Sequence, residues 1–196
     1  RGRIEVDLDL ASKIERDQNL PPTASPWRFA ESAAADLRRL IGVQRGPLGH
    51  DDFAGIFRAR WSELKTSTAT ARRLPYGARL VNDAGGARLS LQTLTSHDRR
   101  FELARVFGDA IWQSGSEFGI VSRAKTDRQK FQRAFANSLL CPFDDLRHEM
   151  DVNAPTPEAI KNAAKKFRVH GSVVRHQLAY KGYLPFENTG EEVEAA

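Results

Sequence analysis

The sequence predicts an α+β domain in which amphipathic helices surround a small antiparallel sheet. Three features indicate this class: apolar residues recur at helical spacing along most of the chain, two strand-like segments lie on either side of the turn Asp83-Ala84-Gly85-Gly86, and apolar and charged residues alternate from Arg3 to Leu10. With 196 residues, of which 40% are hydrophobic and 11 are phenylalanine, the chain can bury a core of ordinary size.

The N-terminal residues are predicted to form a strand and then a linker. The alternation from Arg3 to Leu10 is typical of a half-buried strand, because every second side chain faces solvent. The polar segment DQNLPPTAS, residues 17–25, contains two adjacent prolines and predicts a linker. We therefore assign residues 1–25 to an N-terminal strand and linker that precede the main domain.

The main domain, residues 26–142, is predicted to contain several helices and one hairpin. Ser25 and Pro26 are suited to an N-cap and a first-turn proline, and the helix that they begin ends at Gly42. Its inward residues are Ala30, Ala34, Leu37 and either Leu40 or Ile41. The remaining predicted elements are helices at Asp51–Trp61, Arg99–Trp112 and Asp127–Leu140, a loop at Lys65–Arg73, a hairpin within residues 78–94, and a loop that contains Gly115 and Gly119.

The C-terminal segment, residues 143–184, is predicted to contain two further helices. Thr156-Pro157 begins the first helix. The turn is predicted at Arg168–Gly171, and the second helix runs from Ser172 to about Tyr180. Residues 185–196 form an acidic tail that we expect to be frayed. Apolar residues follow the spacing of a helix-turn-helix core: Ala164, Phe167, Val169, Val174 and Leu178.

Basic residues are concentrated in the same segment. In DNA-binding helix-turn-helix proteins the second helix enters the major groove, and cations from either helix meet phosphates. Two short helices that merely pack on a core give the same pattern, so a DNA-binding role and a structural role both remain open. The candidate nucleic-acid-binding residues are Lys161, Lys165, Lys166, Arg168, Arg175, His176 and Lys181.

The composition narrows the class of partner and the compartment. The formal net charge of +5, from 30 Lys and Arg against 25 Asp and Glu, permits a nucleic-acid partner without requiring one. The single cysteine, Cys141, excludes an internal disulfide and favours a reducing compartment. No apolar run approaches the roughly 20 residues of a membrane span. We therefore expect no membrane partner and a cytoplasmic location.

The segment RRFELARVFGDAIW, Arg99 to Trp112, has a spacing that is associated with metal sites. Written as a helix, it places Arg105 and Asp109 one turn apart. The motif H-E-x-x-H uses that spacing to present two histidines to zinc, with the glutamate as general base. In this chain the positions of the first histidine, the glutamate and the second histidine read Arg105, Val106 and Asp109.

From about Ala30 to Leu184 the chain resembles the ImmA/IrrE family of zinc-metallopeptidase-like regulators. AADLRRLIGVQRGPL is similar to the opening helix of the family, and RRFELARVFGD lies where members carry R-F-T-L-A-H-E-x-G-H. RAFANSLLCP is similar to E-x-x-A-N-x-F-A-x-x-L-L-x-P, and AAKKFRVHGSVVRHQLAYKGYL to the closing segment. The resemblance implies a zincin-like, metallopeptidase-type helical domain with a small antiparallel sheet, followed by a helix-turn-helix-like segment, in a bacterial or phage regulator.

The resemblance also implies where a zinc site would lie. The two zinc histidines fall on Arg105 and Asp109, the catalytic glutamate on Val106, and a third ligand, a glutamate, on Gln129. Zinc needs at least three ligands with lone pairs, and hydrolysis needs a base beside the bound water. Arg105 offers no usable lone pair and Val106 cannot move a proton. We therefore expect no metal, no cofactor and no catalytic residue at these positions.

Each replacement also has a structural interpretation. Arg105 and Asp109 are spaced as an i,i+4 ion pair that can bridge the vacated position. Thr126-x-x-Gln129 is a capping box at the start of a helix, in which each residue satisfies a backbone N–H of the other. Val106 is most simply a core residue.

Other candidate sites carry weaker signals. The 5 histidines, which include His50, His97 and His170, form no H-x-x-x-H pair. HEM, His148 to Met150, has Val152 where a second zinc histidine would stand. Cys141 is expected to be a buried structural thiol rather than a nucleophile. Gly85-Gly86 lacks the lysine and serine of a phosphate-binding loop.

The favoured function is that of a catalytically inactive ImmA/IrrE-like protein that works by binding. Family members control or cleave a repressor, so the resemblance implies a protein partner, a regulator or repressor, in stress response or mobile-element control. The alternative is a DNA-binding regulator that uses residues 158–184. An active zinc endopeptidase with an unusual site is a third hypothesis.

Overall fold

The computed structural model describes residues 4–15, 17–21, 23–65, 76–81, 86–93 and 95–186, which form an α+β fold. A 4-stranded sheet contains β1 (Ile4–Asp7), β2 (Gly77–Val81), β3 (Gly86–Ser90) and β4 (Phe118–Val121). The helices are α1 (Asp9–Ser12), α2 (Pro26–Leu40), α3 (His50–Gly55), α4 (Trp61–Lys65), α5 (Ser96–Trp112), α6 (Asp127–Leu140), α7 (Phe143–Glu149), α8 (Pro157–Phe167) and α9 (Gly171–Tyr180).

The sheet has the order β1-β3-β2-β4, and each neighbouring pair of strands is antiparallel. Its inner face carries buried residues such as Val6 and Leu89, whereas Glu5 and Arg88 pair on the outer face at 3.0 Å. Helix α5 contacts β2 and β4, α6 packs on α5, and α2 packs on α6. This layering confirms the predicted α+β class and brings the helix of the metal-like motif against the sheet.

The N-terminal strand is shorter than predicted. It ends at Asp7, and Leu8–Leu10, which we expected to continue it, turn into α1. The Asp7 carboxylate accepts the backbone N–H of Asp9 at 2.6 Å, which bends the chain and starts a helical turn. The apolar alternation in this segment therefore extends beyond the strand.

The predicted helix Asp51–Trp61 is wrong in extent, because the chain breaks between α3 and α4. Arg58 has a positive φ of 48°, which a continuing α-helix does not allow. The Phe57 carbonyl accepts the Asp7 N–H at 3.1 Å, and the Arg58 guanidinium binds the Asp7 carboxylate at 2.8 Å. These contacts with the N-terminal strand replace the helical continuation.

Besides α1, the sequence analysis missed two elements. Strand β4 lies where we expected a loop with Gly115 and Gly119, and α7 follows Pro142 without having been predicted. Both are short, and β4 contains a glycine, which weakens the strand pattern. The predicted hairpin is present as β2 and β3, but residues 82–85 of its turn lie outside the described residues, as do residues 66–73 of the predicted loop.

The helices α2, α5 and α6 confirm the predicted elements within a few residues. Leu40 is 53% exposed while Ile41 packs against the core, which resolves the alternative left open for this turn. Helix α5 begins earlier than predicted, with Thr95 as its N-cap, and it is buried over more than one face. Its amphipathic pattern is weak because it lies between the sheet and other helices.

The C-terminal helices α8 and α9 confirm the two predicted helices, and their turn lies at Arg168–His170. Phe167, Val174 and Leu178 are fully buried in the same cluster as the core of the main domain. The Gln177 amide donates to the Cys141 carbonyl at 2.6 Å and ties α9 to the end of α6. The last part of the predicted acidic tail, residues 187–196, lies outside the described residues.

Candidate functional site at the α5–α6 interface

Arg105, which stands where the resemblance implies a first zinc histidine, binds other protein groups. Its Nη2 donates to the Ser122 carbonyl at 2.5 Å and to Gln129 Oε1 at 3.1 Å. Ser122 directly follows β4, and Gln129 lies in the first turn of α6. Two of the positions implied for zinc ligands are therefore adjacent, but a guanidinium and an amide fill the space between them.

Gln129 connects the start of α6 to β4. Its Oε1 also accepts the Ser122 N–H at 3.2 Å, and its Nε2 donates to the Ile120 carbonyl at 3.1 Å. The Thr126 hydroxyl accepts the Gln129 N–H at 3.4 Å, so the predicted N-cap is confirmed. The other hydrogen bond of a capping box, from the Thr126 N–H to the Gln129 side chain, is replaced by the bonds of the Gln129 amide to Ile120 and Ser122.

Asp109, which stands where the resemblance implies a second zinc histidine, is fully buried. Its Oδ2 accepts from Arg79 Nε at 3.1 Å, and Arg79 is buried as well. Its Oδ1 accepts from Arg128 Nε at 2.6 Å and from Gln132 Nε2 at 2.5 Å. Both carboxylate oxygens are thus bound by cations or amides from β2 and α6.

The predicted ion pair between Arg105 and Asp109 is wrong. Although helical spacing places the two residues one turn apart, Arg105 extends to the end of β4 and Asp109 is held by Arg79 and Arg128. The i,i+4 spacing makes a pair geometrically available, but two arginines from other elements supply the buried carboxylate with closer partners.

Gly119 makes room for the buried carboxylate. A Cβ atom at this position would lie 2.0 Å from Asp109 Oδ2 and 2.6 Å from Arg79 Nε. Any side chain here would displace the ion pair, so the glycine permits the close approach of β4 to α5. The sequence showed this glycine only as a loop residue.

Side chains of α5 and α6 form hydrogen bonds with the outer edge of β4. The Val81 N–H donates to the Glu117 carbonyl at 2.7 Å, so Glu117, Gly119 and Val121 direct their backbone groups to β2. By alternation, the backbone groups of Ile120 and Ser122 face away from β2. Their partners are Gln129, Arg105 and Gln132, whose Nε2 lies 3.0 Å from the Ile120 carbonyl.

Val106, which stands where the resemblance implies a catalytic glutamate, is fully buried, which confirms the prediction of a core residue. Its neighbour Gly108 packs so closely on Phe135 that an added Cβ would lie 2.9 Å from the ring. This part of α5 therefore serves the contact with α6, and an aliphatic side chain stands where the resemblance implies a general base.

The residues at the α5–α6 interface do not fit a divalent metal. Arg105 is cationic and has no usable lone pair, Gln129 Oε1 already accepts two N–H groups, and both oxygens of Asp109 are bound. In the described part of the chain there is also no group of three or more His, Cys, Asp and Glu that could hold a metal ion.

The seven basic residues predicted for nucleic-acid binding do not form one uniform surface. Lys161 and Lys165 are exposed on α8, and Arg175 is exposed on α9 beside the half-buried His176. Lys166 pairs with Glu149, and Lys181 pairs with Glu31 at 2.9 Å. Arg168 occupies the turn with a positive φ of 56°.

A second polar cluster, unmarked in the sequence, surrounds the fully buried Arg100. Its guanidinium donates to the Leu48 carbonyl at 3.1 Å, lies 3.3 Å from His50 Nδ1, and sits 4.7 Å above the Phe53 ring. Burial, and secondarily the charge of Arg168, lower the pKa of Arg100 to about 10. Burial also lowers the pKa of His50, with further contributions from Arg100 and Arg168.

Cys141 is fully buried, as predicted for a structural thiol. Burial raises the pKa of its thiol to about 12, and the negative charge of Asp145 adds to this effect while Arg38 opposes it. A thiol with this pKa stays protonated at neutral pH and is a poor nucleophile.

An open cleft of about 830 Å³ lies beside the candidate site. Its lining includes Arg79 and Ser116 as well as Asp7, Asp9 and Arg58. Arg58 binds both aspartates, at 2.8 and 3.2 Å. The cleft is therefore an accessible surface that adjoins the buried Asp109 cluster.

No protein-family model matches the chain, and no curated protein matches it. Among the helices of the described ranges, each is too short or too polar to cross a membrane.

Proposed function

We propose that the chain is a catalytically inactive, ImmA/IrrE-like regulatory protein that acts by binding a protein partner. The observation that carries this proposal is the set of hydrogen bonds from Arg105, Gln129 and Gln132 to the outer edge of β4. Two of these side chains, Arg105 and Gln129, stand at positions that the resemblance implies for zinc ligands, and all three hold the strand to the helices.

The energetics of the Asp109 cluster oppose metal binding. A metal on Asp109 would have to displace Arg79 or Arg128 and would leave a buried guanidinium without its carboxylate. Breaking a buried ion pair in this way costs about 3–5 kcal/mol. The remaining positions cannot supply the other ligands, so binding would not recover that cost.

The proposal assigns the role of recognition to surfaces outside this network. The cleft beside Arg79 is open and large enough to accept side chains of a partner. Its position next to the rigid α5–α6 interface supports a protein contact there, in the gene-regulatory setting that the resemblance implies.

The test is a metal and activity assay on the purified chain. We expect no stoichiometric zinc by elemental analysis, no change of Tm with a chelator, and no zinc-dependent hydrolysis of an unfolded protein such as casein. One zinc per chain together with hydrolysis that a chelator abolishes would overturn the proposal and favour the endopeptidase hypothesis.

The second candidate is a DNA-binding regulator that uses residues 158–184. The observation in its favour is the short turn Arg168–His170 between α8 and α9, with Arg175 exposed on the second helix. Its test is retardation of duplex DNA. Binding should weaken steeply between about 50 and 200 mM salt, and Lys165→Glu with Arg175→Glu should abolish it without unfolding the domain.

A further inference from the structure

The chain that follows α9 lies against the side of this helix that would read a duplex. Gly182 has a φ of +81° and reverses the chain direction. A small groove of about 90 Å³ is then lined on one side by Leu184, Pro185 and Phe186. The opposite wall is formed by one stripe of α9: Ser172, Arg175, His176 and Ala179.

This arrangement is poorly suited to a duplex. The major groove is about 12 Å wide and admits a single helix of about 10–12 Å diameter. Here residues 184–186 lie beside the stripe of α9 that would face the base edges. Residues 184–186 would have to share the major groove with the helix, so a narrower ligand fits this surface better.

A row of exposed aromatic rings adjoins the groove. Trp27 and Tyr180 have ring centroids 6.3 Å apart, and Tyr180 and Phe186 are 5.3 Å apart at 86°. Their exposed fractions are 40%, 38% and 63%, respectively. Large rings that remain this accessible and adjacent mark a surface on which flat groups can stack.

An arginine and a histidine border the groove beside the aromatic row. Arg175 and His176 lie on the rim of the groove, and Arg28 is exposed next to Trp27 on α2. His176 Nδ1 lies 2.8 Å from the Ser172 carbonyl. Because a carbonyl oxygen can only accept, Nδ1 carries a proton and donates it in this hydrogen bond. The nearby Glu31 is neutralised by Lys181.

We infer that this aromatic-basic surface, formed by Trp27, Tyr180, Phe186, Arg175 and His176, binds single-stranded nucleic acid. Bases stack on the rings, and the phosphates between them meet the cations at the rim. The inference rests on the nucleic-acid alternative above and replaces its duplex by a single strand. An acidic peptide would meet the same cations, but it would leave the faces of the rings without flat partners.

The test measures fluorescence anisotropy of three labelled probes with the whole chain. The probes are an oligothymidylate of about 15 nucleotides, a blunt duplex of the same length and a polyglutamate peptide, each at about 50 and 200 mM salt. We expect the single strand to bind at least about tenfold more tightly than the duplex or the peptide, with an affinity that falls as salt rises.

Variants then test the aromatic rings and the basic rim of the surface separately. Phe186→Ala and Tyr180→Ala should weaken single-strand binding at least about fivefold, and Arg175→Glu should weaken it and reduce the salt dependence. The matched controls are Phe118→Ala, an aromatic that is 47% exposed on β4, and Arg45→Glu, an exposed cation before α3. Neither control should change the affinity.

Each alternative result has a defined meaning. Tighter binding of the duplex would overturn this inference and retain the DNA-binding alternative, whereas no binding of either nucleic acid would reject both. If polyglutamate bound as tightly as the single strand, the surface would recognise negative charge alone, and the inference would be overturned in favour of an acidic protein partner. If Tyr180→Ala does not fold, Phe186→Ala decides the role of the rings, because Phe186 is 63% exposed.

Discussion

Arg79 Nε and Asp109 Oδ2 form an ion pair of 3.1 Å in which both side chains are buried, so that the middle of β2 is joined to the second half of α5. Arg79 also donates from Nη1 to the Ser116 carbonyl at 2.8 Å. One guanidinium thereby connects the sheet, the helix and the loop that leads into β4. The stability of this part of the fold depends on the carboxylate of Asp109.

Removing that carboxylate should be strongly destabilising. Asp109→Ala leaves Arg79 and Arg128 without their shared carboxylate, and we expect the free energy of unfolding to fall by about 3–5 kcal/mol. Urea denaturation measures the change. The control is Lys130→Ala, which removes an exposed pair with Asp127 and should cost less than about 1 kcal/mol. Equal losses for both variants would show that the Asp109 cluster contributes no more than a surface pair.

The close approach at Gly119 gives a second prediction. Gly119→Ala places a methyl group 2.0 Å from Asp109 Oδ2, and the backbone or the ion pair must shift. We expect a loss of about 2 kcal/mol or more by thermal or urea unfolding. Gly171→Ala is the matched control, because a Cβ there meets no atom within 4 Å, and it should change stability by less than about 1 kcal/mol. A tolerated Gly119→Ala would contradict the described contact.

His50 gives a prediction for pH. Burial and the charges of Arg100 and Arg168 hold the pKa of His50 below its usual value of 6.5, so the unfolded chain binds this proton more readily than the folded chain. Stability from His50 is therefore present above about pH 6.5 and is lost as the pH falls towards the folded pKa. Nδ1 must also accept from Arg100, 3.3 Å away, which only the neutral ring allows.

The measurement is the urea midpoint at pH 7 and at pH 5. The wild-type midpoint should fall more over this interval than that of His50→Gln, which cannot take up the proton. His148→Gln, at an exposed position of α7, should behave like the wild type. If His50→Gln and the wild type lose stability in parallel, the acid sensitivity arises elsewhere.

Cys141 gives a prediction for thiol chemistry. Because burial raises the pKa of this thiol to about 12, the folded protein should react with a thiol reagent at pH 8 far more slowly than the unfolded protein. Cys141 is the only cysteine of the chain, so the signal is unambiguous. Labelling in denaturant should reach one group per chain. Rapid labelling without denaturant would contradict the buried position.

The sequence predicted most of the elements whose signals are local. The N-caps at Thr126 and Thr156 could be predicted from the sequence, because a hydroxyl before a helix satisfies a free backbone N–H. Both N-caps are present in the structure. Strand β4 could not be predicted from the sequence, because its 4 residues include Gly119 and its burial pattern depends on contacts with residues that are distant in sequence. The break at Arg58 likewise depends on Asp7, which is far away in sequence.

In the candidate site, too, positions with a local sequence signal could be predicted, whereas contacts between distant residues could not. The resemblance identified Arg105, Asp109 and Gln129 as positions to compare, and the structure places them at one helix interface. Their partners could not be predicted, because Arg79 comes from β2 and Ser122 from the end of β4, and only the fold brings them together. Helical spacing alone favoured the wrong pair.

The hydrogen bonds along β4 bear on self-association. An edge strand with unpaired backbone groups is a template on which a second chain can add, and proteins that expose such edges tend to aggregate or exchange strands. Here the amides of Gln129 and Gln132 and the guanidinium of Arg105 bind the outward carbonyls of Ile120 and Ser122. Polar side chains of α5 and α6 thus protect the sheet from intermolecular strand pairing, and Gln132→Leu would remove one of these bonds without emptying the core.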